Sequence, residues 1–415
     1  MNGIIIRAPR EEEFHAIFEL ACAAFGEQPT QEDEDAHRLG FPFDRALCAY
    51  EDGRMVATSA VYSQELTIPG DAAIPMGGVT WIATLPTHRR QGLLRQLMVA
   101  AFADMAARGE AVSGLGASEG NIYGRFGYGP AASVMSFSVD RPYAAFAVPV
   151  DDSIPRRLRL LAPEEAVVRL PALYESLRLS RAGAVSRPQS WWNAYLADPP
   201  SEREGAGHML HVTHETISGV PDGYVSYGIK EAWEGSTALN TVRVVELLAA
   251  DAQVYAALWR YVLNTDLCQT ITYGRGRVDE PLRWLLADPR RFKVHALTDF
   301  LWLRLLDVPR ALAARAYRAE GELVLELRQS FPEPRESRLL LRTGPSRTPG
   351  ADCAPTDGTP DLSLEAGSLA AAYLGGVTFT TLAGAGRVRE LKTGACRLAD
   401  AMFATETAPY SATEF

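Results

Sequence analysis

The 415-residue sequence holds only five cysteines, Cys22, Cys48, Cys268, Cys353 and Cys396. The count is odd and no C-x-x-C pair occurs. That argues against a zinc site or a disulfide framework and for reduced thiols in a cytoplasmic protein. Basic charge is also short: 41 Lys and Arg stand against 51 Asp and Glu, a formal net charge of −10. A nucleic-acid binder carries a basic balance or a long basic stripe, and here basic residues gather only around 88–95. No apolar run reaches the ~18 residues that a membrane helix needs. The N-terminal run Ile4-Ile5-Ile6 meets Glu11, Glu12 and Glu13 too soon for a secretory signal, which leaves export by another route open. Low-complexity repeats are absent as well.

What remains is globular material. With 47% hydrophobic and 22% charged residues, the chain can fill more than one core. At ~150 residues per domain its length points to two or three domains. The first segment reads as a strand at Ile4–Ile6 and a helix over about Glu11–Phe25. Strands are expected at Leu47–Tyr50, Val56–Tyr62, Leu66–Ile68 and Met76–Thr84. Leu94, Leu97, Met98, Ala101, Phe102 and Met105 recur at helical spacing, so Leu93–Arg108 reads as a helix stopped by Gly109. Val112–Ala117 is the next strand. Strand, tight loop, helix and strand make a crossover unit.

Pro, Ala and Asp accumulate over Pro142–Pro155, and a boundary is placed there. The expected domains are 1–150, 151–297 and 298–415. The second has a helix near Glu164–Arg181, strands near Gly223–Tyr227 and Val242–Leu248, and a helix at Ala252–Leu263. The third has strands at Leu301–Leu305, Leu323–Leu327, Ser337–Leu341 and Leu362–Leu364, with a long loop from Thr343 to Pro360.

The residues that carry chemistry begin at the crossover. Val79 to Thr84 leads through Pro86 into Arg89-Arg90-Gln91-Gly92-Leu93-Leu94 and straight into the helix. Free N–H groups at a helix start favour an anion, Gly92 lets the backbone come close, and the arginines add charge. The implied ligand is a diphosphate. Neither the G-x-x-x-x-G-K-[ST] nor the G-x-G-x-x-G pattern is present, which sets aside the common nucleotide folds. His208, His211 and His214 lie in a strand-like stretch that splits their faces, so no metal site is expected. Trp191-Trp192 reads as packing.

The R-x-x-G-x-x loop resembles the acetyl-CoA signature of the GNAT N-acetyltransferases. Ile122-Tyr123-Gly124-Arg125-Phe126-Gly127-Tyr128-Gly129-Pro130, taken with Pro86-Thr87-His88-Arg89-Arg90, resembles the enhanced intracellular survival (Eis) family within that superfamily. Ser186-Arg187-Pro188-Gln189-Ser190-Trp191-Trp192, Asp299–Arg304 and the final Glu414-Phe415 extend the likeness along the whole chain. The resemblance implies a mixed α/β and α+β architecture: two tandem GNAT folds, the second degenerate, and then a sterol-carrier-like α+β domain. The stretch Ala249-Ala250-Asp251-Ala252-Gln253 agrees with the degeneracy, for it has neither the Gly nor the arginine pair.

The same resemblance implies a function and its residues. Acetyl-CoA would be the donor, a small-molecule amine the acceptor, aminoglycosides among the acceptors, and a homohexamer the assembly. Ile82, Ala83 and Thr84 would meet the cofactor by backbone. Arg89, Arg90, Gln91, Gly92, Leu93, Leu94 and Arg95 would hold the pyrophosphate, and Ser118 and Glu119 would flank the pantetheine arm. Tyr123 would be the general acid, and the carboxylate of Phe415 the general base. Phe126 and Tyr128 are left as packing residues. Glu27, Asp299 and Glu414 would receive a cationic acceptor. Two departures from the family pattern stand out: Leu94 replaces a Gly or Ala, and Gly116 replaces a His. His37 stands near an aromatic position. The competing expectation is a carrier protein that works through its sterol-carrier-like domain, with the loop vestigial.

Overall fold

The computed structural model describes residues 3–28, 30–148, 157–344 and 350–415. In the first unit, β1 (Ile4–Arg7), β2 (Ala46–Glu51), β3 (Arg54–Ile68) and β4 (Ala72–Thr84) form an antiparallel run. Helices α1 (Phe14–Phe25) and α2 (Gln31–Gly40) lie between β1 and β2 in the chain. The two strands expected at Val56–Tyr62 and Leu66–Ile68 are one strand, β3. The polar residues between them look like a break, but each has a partner. Ser63 Oγ accepts from Arg45, Gln64 donates to Ser186 O, and Glu65 pairs with Arg178.

The crossover forms as its pattern requires. Helix α3 (Leu93–Ala107) joins β4 to β5 (Val112–Gly116), and the two strands pair in parallel. Helix α4 (Gly120–Tyr123) then leads to β6 (Gly129–Asp140). The boundary expected between 150 and 151 lies outside the described residues.

The second unit contributes β7 (Arg157–Leu160), α5 (Pro163–Arg178), α6 (Gln189–Ala197), β8 (Leu210–Glu215) and β9 (Pro221–Lys230). A short hairpin, β10 (Trp233–Glu234) with β11 (Thr237–Ala238), precedes β12 (Asn240–Ala249), α7 (Ala252–Leu263), β13 (Cys268–Gly276) and α8 (Leu282–Leu285). Its core packs Trp259, Tyr273, Phe137 and Phe292 on the α7 side of the sheet.

Strand β14 (Phe292–Leu305) runs without a break through the boundary expected at 297/298. Leu301–Leu305 is a strand as expected, but it pairs with β5 and β6 of the first unit rather than within the third. A strand from late in the chain is thus inserted between two early ones. The result is one twelve-stranded sheet, in the order β1-β2-β3-β4-β5-β14-β6-β13-β12-β9-β8-β7.

The third unit has its own sheet of β15 (Gly321–Gln329), β16 (Arg335–Thr343), β17 (Asp352–Pro355), β18 (Leu362–Glu365) and β19 (Val388–Glu390). Helices α9 (Val308–Ala314), α10 (Ala366–Ala372), α11 (Phe379–Gly384) and α12 (Ala395–Phe403) accompany it. Of the loop expected over Thr343–Pro360, residues 345–349 lie outside the described ones, and β17 occupies another part. The small residues of α10 let it press against β6, and Leu369 and Ala370 share a core with Ala131 and Leu303. Among the described residues, no helix is long and apolar enough to cross a membrane.

The closest approach in that seam is glycine on glycine. A Cβ at Gly129 would sit 1.9 Å from the carbonyl oxygen of Gly367. Gly129→Ala should therefore push α10 off β6 and destabilise the protein by about 3 kcal/mol, as overpacking of a tight seam does. A thermal-unfolding midpoint equal to that of the parent protein would show that the seam yields freely.

Candidate active site

The loop after β4 folds as a strand delivers it. A short helical turn at Pro86–His88 follows Leu85, and Arg90 and Gly92 then take positive φ, 63° and 81°. Gly92 is the N-cap of α3, a left-handed position that suits glycine, and no side chain caps the helix. Its first amides and the positive end of its dipole are left for an anion. The three arginines divide their work. Arg89 donates to the Ala24 carbonyl at the end of α1, and Arg95 donates to Pro332 O and covers the Phe331 ring. Arg90 is exposed, and its side chain has no hydrogen-bond or ion-pair partner among the described residues. Gln91 folds back onto Thr87 O. Leu93 is buried, and Leu94 packs on the cluster of Met98, Phe102 and Tyr123, so the larger residue at position 94 belongs to the core.

Beside this loop the sheet opens. The β4–β5 ladder stops at Gly78 and Gly114. Beyond it, Leu115 and Gly116 keep β14 on their other edge, and β4 veers off. A bulge drives the divergence: Thr58 faces Ala83 and Ala60 faces Thr80, so Ser59 alone stands opposite both Trp81 and Ile82. Trp81 has a φ of 53°, strained for a bulky residue. An aromatic cluster holds it there, with ring centroids at 5.2 Å from Phe41, 5.9 Å from Phe14 and 5.8 Å from His37. The split strands expose unpaired backbone groups around Ile82. Ala83 and Thr84 continue the same strand towards the loop, and Ala83 is buried.

A cleft of about 460 Å³ fills the split. Ile82, Ser118, Tyr123, Glu27, Glu414 and Phe415, all singled out in the sequence, come together on its walls. Gly116 also lines it, and a Cβ there would be no closer than 4.0 Å to another atom, so the position leaves open space. Glu119 is exposed at the start of α4. Asp299 is not among the cleft-lining residues. It is exposed on β14, and its carboxylate accepts from the Trp302 indole at 2.5 Å.

Tyr123 is almost wholly buried, and burial raises its phenol above the ordinary range. A hydrogen bond with Ser118 partly opposes the rise, and the charge of Glu119 adds to it. The hydroxyl therefore keeps its proton through the neutral range. Phe126 and Tyr128 do pack as left in the sequence: both are buried, and the Tyr128 hydroxyl bonds Ser113 at 2.6 Å. Arg304 fixes this segment by donating to Phe126 O and to Phe331 O.

The chain's last residues reach the cleft from the third unit. Phe415 lies against Gly78, where a Cβ would come within 3.1 Å of its ring and 2.1 Å of Gln64 Oε1. Glycine at the fork of the sheet makes room for that ring.

Trp191, read as packing, lines the cleft instead, while Trp192 is buried. Other lining residues went unnoticed in the sequence: Ala194 and Tyr195 share α6 with Trp191, and α6 packs on α2 so closely that a Cβ on Gly40 would touch Ala194 at 3.0 Å. Glu202 also faces the cleft, held above the ordinary carboxylate range first by desolvation and then by the charge of Glu414. Its side chain still reaches the solvent of the cleft. Nothing periodic marks Glu202, which stands in a Pro-Ser-Glu-Arg turn. Among the described residues, no three His, Cys, Asp or Glu side chains gather to hold a metal. His211 bonds Ser226 and His214 bonds Asp222.

The second unit's equivalent helix start is closed. Asp251 caps α7, accepting from Gln253 N and Val254 N at 2.8 Å each. A fixed carboxylate occupies the place an anion would take.

Family models place an acetyltransferase (GNAT) domain over residues 5–131, a second over 183–305 and a sterol carrier protein domain over 308–412. The chain is 34% identical to the N-acetyltransferase Eis of Mycobacterium tuberculosis, covering 99% of this chain and all of that one. It is likewise 34% identical to an N-acetyltransferase of Streptomyces avermitilis, over 98% of each. The crystal structure of Eis1 from Mycobacterium abscessus superposes with a TM-score of 0.85 at 34% identity, covering 99% of this chain and all of that one.

Because the Asp251 carboxylate satisfies two helix amides, Asp251→Ala should lower stability by about 1 kcal/mol. Thermal unfolding measures it, and an unchanged midpoint would mean that solvent replaces the cap at no cost.

Proposed function

The chain belongs to the Eis family of GNAT N-acetyltransferases, and from that footing we propose that it acetylates primary amines of cationic small molecules, aminoglycosides among them. One observation carries this reading: Tyr123, whose phenol keeps its proton, and Phe415, the last residue, meet in one cleft at the split in the sheet, and the strand bordering that split leads to an uncapped helix start. Acetyl-CoA, when bound, supplies the activated acyl carbon.

Each residue has a task in this reading. Arg90 and the amides of Gln91, Gly92, Leu93, Leu94 and Arg95 hold the pyrophosphate, while the side chains of Arg89 and Arg95 brace the loop at its two flanks. The unpaired edge at Ile82, Ala83 and Thr84 takes the amides of the pantetheine arm, with Ser118 and Glu119 on the facing side. The Phe415 carboxylate removes a proton from the acceptor's ammonium, directly or through water. The freed amine attacks the acyl carbon; as the carbon–sulfur bond breaks, Tyr123 gives its phenolic proton to the departing sulfur, and the proton shed by the new amide nitrogen returns through solvent to restore the phenol. Glu27, Glu202 and Glu414 offer the cleft's negative charge to a cationic acceptor. The open space at Gly116 widens the acceptor end. The protein works in the cytoplasm as a homohexamer. The edge of β14 left bare below Asp299, where Val294 and Leu297 are exposed, supports contact between copies.

Thiol release from acetyl-CoA with a panel of aminoglycosides, polyamines and lysine peptides tests the reading. Turnover should appear with amines and vanish when their nitrogens are already acetylated. Tyr123→Phe should lower kcat roughly 10²- to 10⁴-fold, with the KM for acetyl-CoA little changed. Burial raises the Tyr123 pKa, so its proton is lost only at high pH. The alkaline limb of kcat should then lie above about pH 10. Retention of full kcat by Tyr123→Phe would remove the residue from the proton transfer.

A further inference from the structure

The tail that ends at Phe415 is held by the second unit. From Ala408 to Glu414, every hydrogen bond and ion pair that the described residues make with the tail ends on residues 174–279. Ala408 is gripped on both sides of its backbone: its N–H donates to Asp279 at 3.1 Å, and its carbonyl accepts from Arg181 at 2.9 Å. Tyr410 N donates to Ala182 O, and the buried Tyr410 hydroxyl donates to Arg275 O and meets the Tyr273 hydroxyl. Thr413, 1% exposed, takes Arg187 Nε at 2.9 Å and faces the Tyr174 hydroxyl at 3.1 Å. Trp191 Nε1 donates to Glu414 O at 2.8 Å, and Arg275 pairs with the Glu414 carboxylate.

The Arg187 anchor is itself built in. Its guanidinium makes two bonds to Glu246, at 2.6 and 3.0 Å, and lies over the Tyr174 and Trp191 rings. Both charges are buried, and Tyr224 donates a further bond to Glu246. Such a pair is costly to break, because losing either partner strands the other charge. It is also placed where only Thr413 uses the remaining Nε donor.

We propose that this clamp, Arg187 and Trp191 acting on Thr413 and Glu414, positions the Phe415 carboxylate over the acceptor nitrogen. The degenerate GNAT unit then contributes to catalysis as the docking body of the tail. Thr413, Arg187 and Trp191 act here as positioning residues. The inference rests on Phe415 serving as the base.

The test is the double variant Thr413→Val, Trp191→Phe. It removes both bonds while keeping the size of Thr413 and an aromatic ring over Arg187. Its kcat/KM for the amine should fall roughly 10- to 100-fold, as misplacing a reacting group does, with the KM for acetyl-CoA within about twofold. The acid limb of kcat/KM should move up towards the pKa of the free amine, since proton removal then falls to solvent. Thr413→Ser, which keeps the hydroxyl, should preserve both rate and profile. A double variant with the parent rate and the parent acid limb would overturn the clamp. A separate arm adds three alanines after Phe415. If that extended protein keeps full activity, the base assignment itself falls. If the extension abolishes turnover and the double variant does not, the clamp alone is wrong.

Discussion

Two neighbouring strands part company at Gly78, and the rest of the molecule is arranged around that fork. A parallel ladder would run on if nothing stopped it, because each further pair satisfies two backbone groups. Here the bulge at Trp81 turns β4 aside, while β14 retains β5 on its other edge. The strained tryptophan is tolerated because Phe14, Phe41 and His37 surround its ring. Tyr123 and Phe415 line the gap so made, and β4, which borders it, leads on to the helix start at Gly92.

The three units divide the site by chemistry. The first provides backbone edges and an anion-seeking helix end, features that depend on main-chain geometry. The second keeps a fork of its own, where the β12–β13 ladder stops at Val244 and Tyr273, but Asp251 has filled the corresponding helix start. It provides side chains instead: aromatic rings, several charges, and a buried Arg187–Glu246 pair. The third unit's core is packed through Leu323, Leu325, Tyr373 and Phe403, and what it sends to the cleft is its last few residues.

Much of this was legible in the sequence where structure is local. The helix from Leu93 and the helix Ala252–Leu263 follow from apolar spacing. The anion-ready turn follows from Gly92 lying between a strand and a helix, whereas Tyr123 was reached only through the resemblance of Ile122–Pro130 to the Eis family. What stayed hidden was long-range pairing. Periodicity shows Leu301–Leu305 as a strand, but nothing in those residues says that their partners lie nearly two hundred positions earlier. The break seen at Ser63-Gln64-Glu65 was false, because the polar partners of those residues, Arg45, Ser186 and Arg178, come from distant parts of the chain. Glu202 escaped for the same reason: it meets the cleft only after two units close on each other. Asp299, an acidic position suited to a cation, instead bonds a tryptophan three residues away.

The insertion of β14 also sets an order in time. Strands β5 and β6 are made early on the ribosome, yet the strand that separates them leaves it only after residue 305. Until then the half-built sheet carries an open slot between its own strands, and an early closure of β5 on β6 would be a trap. The nascent chain is therefore obliged to wait. Its first acetyltransferase unit, although encoded first, can be completed only when most of the protein has been synthesised.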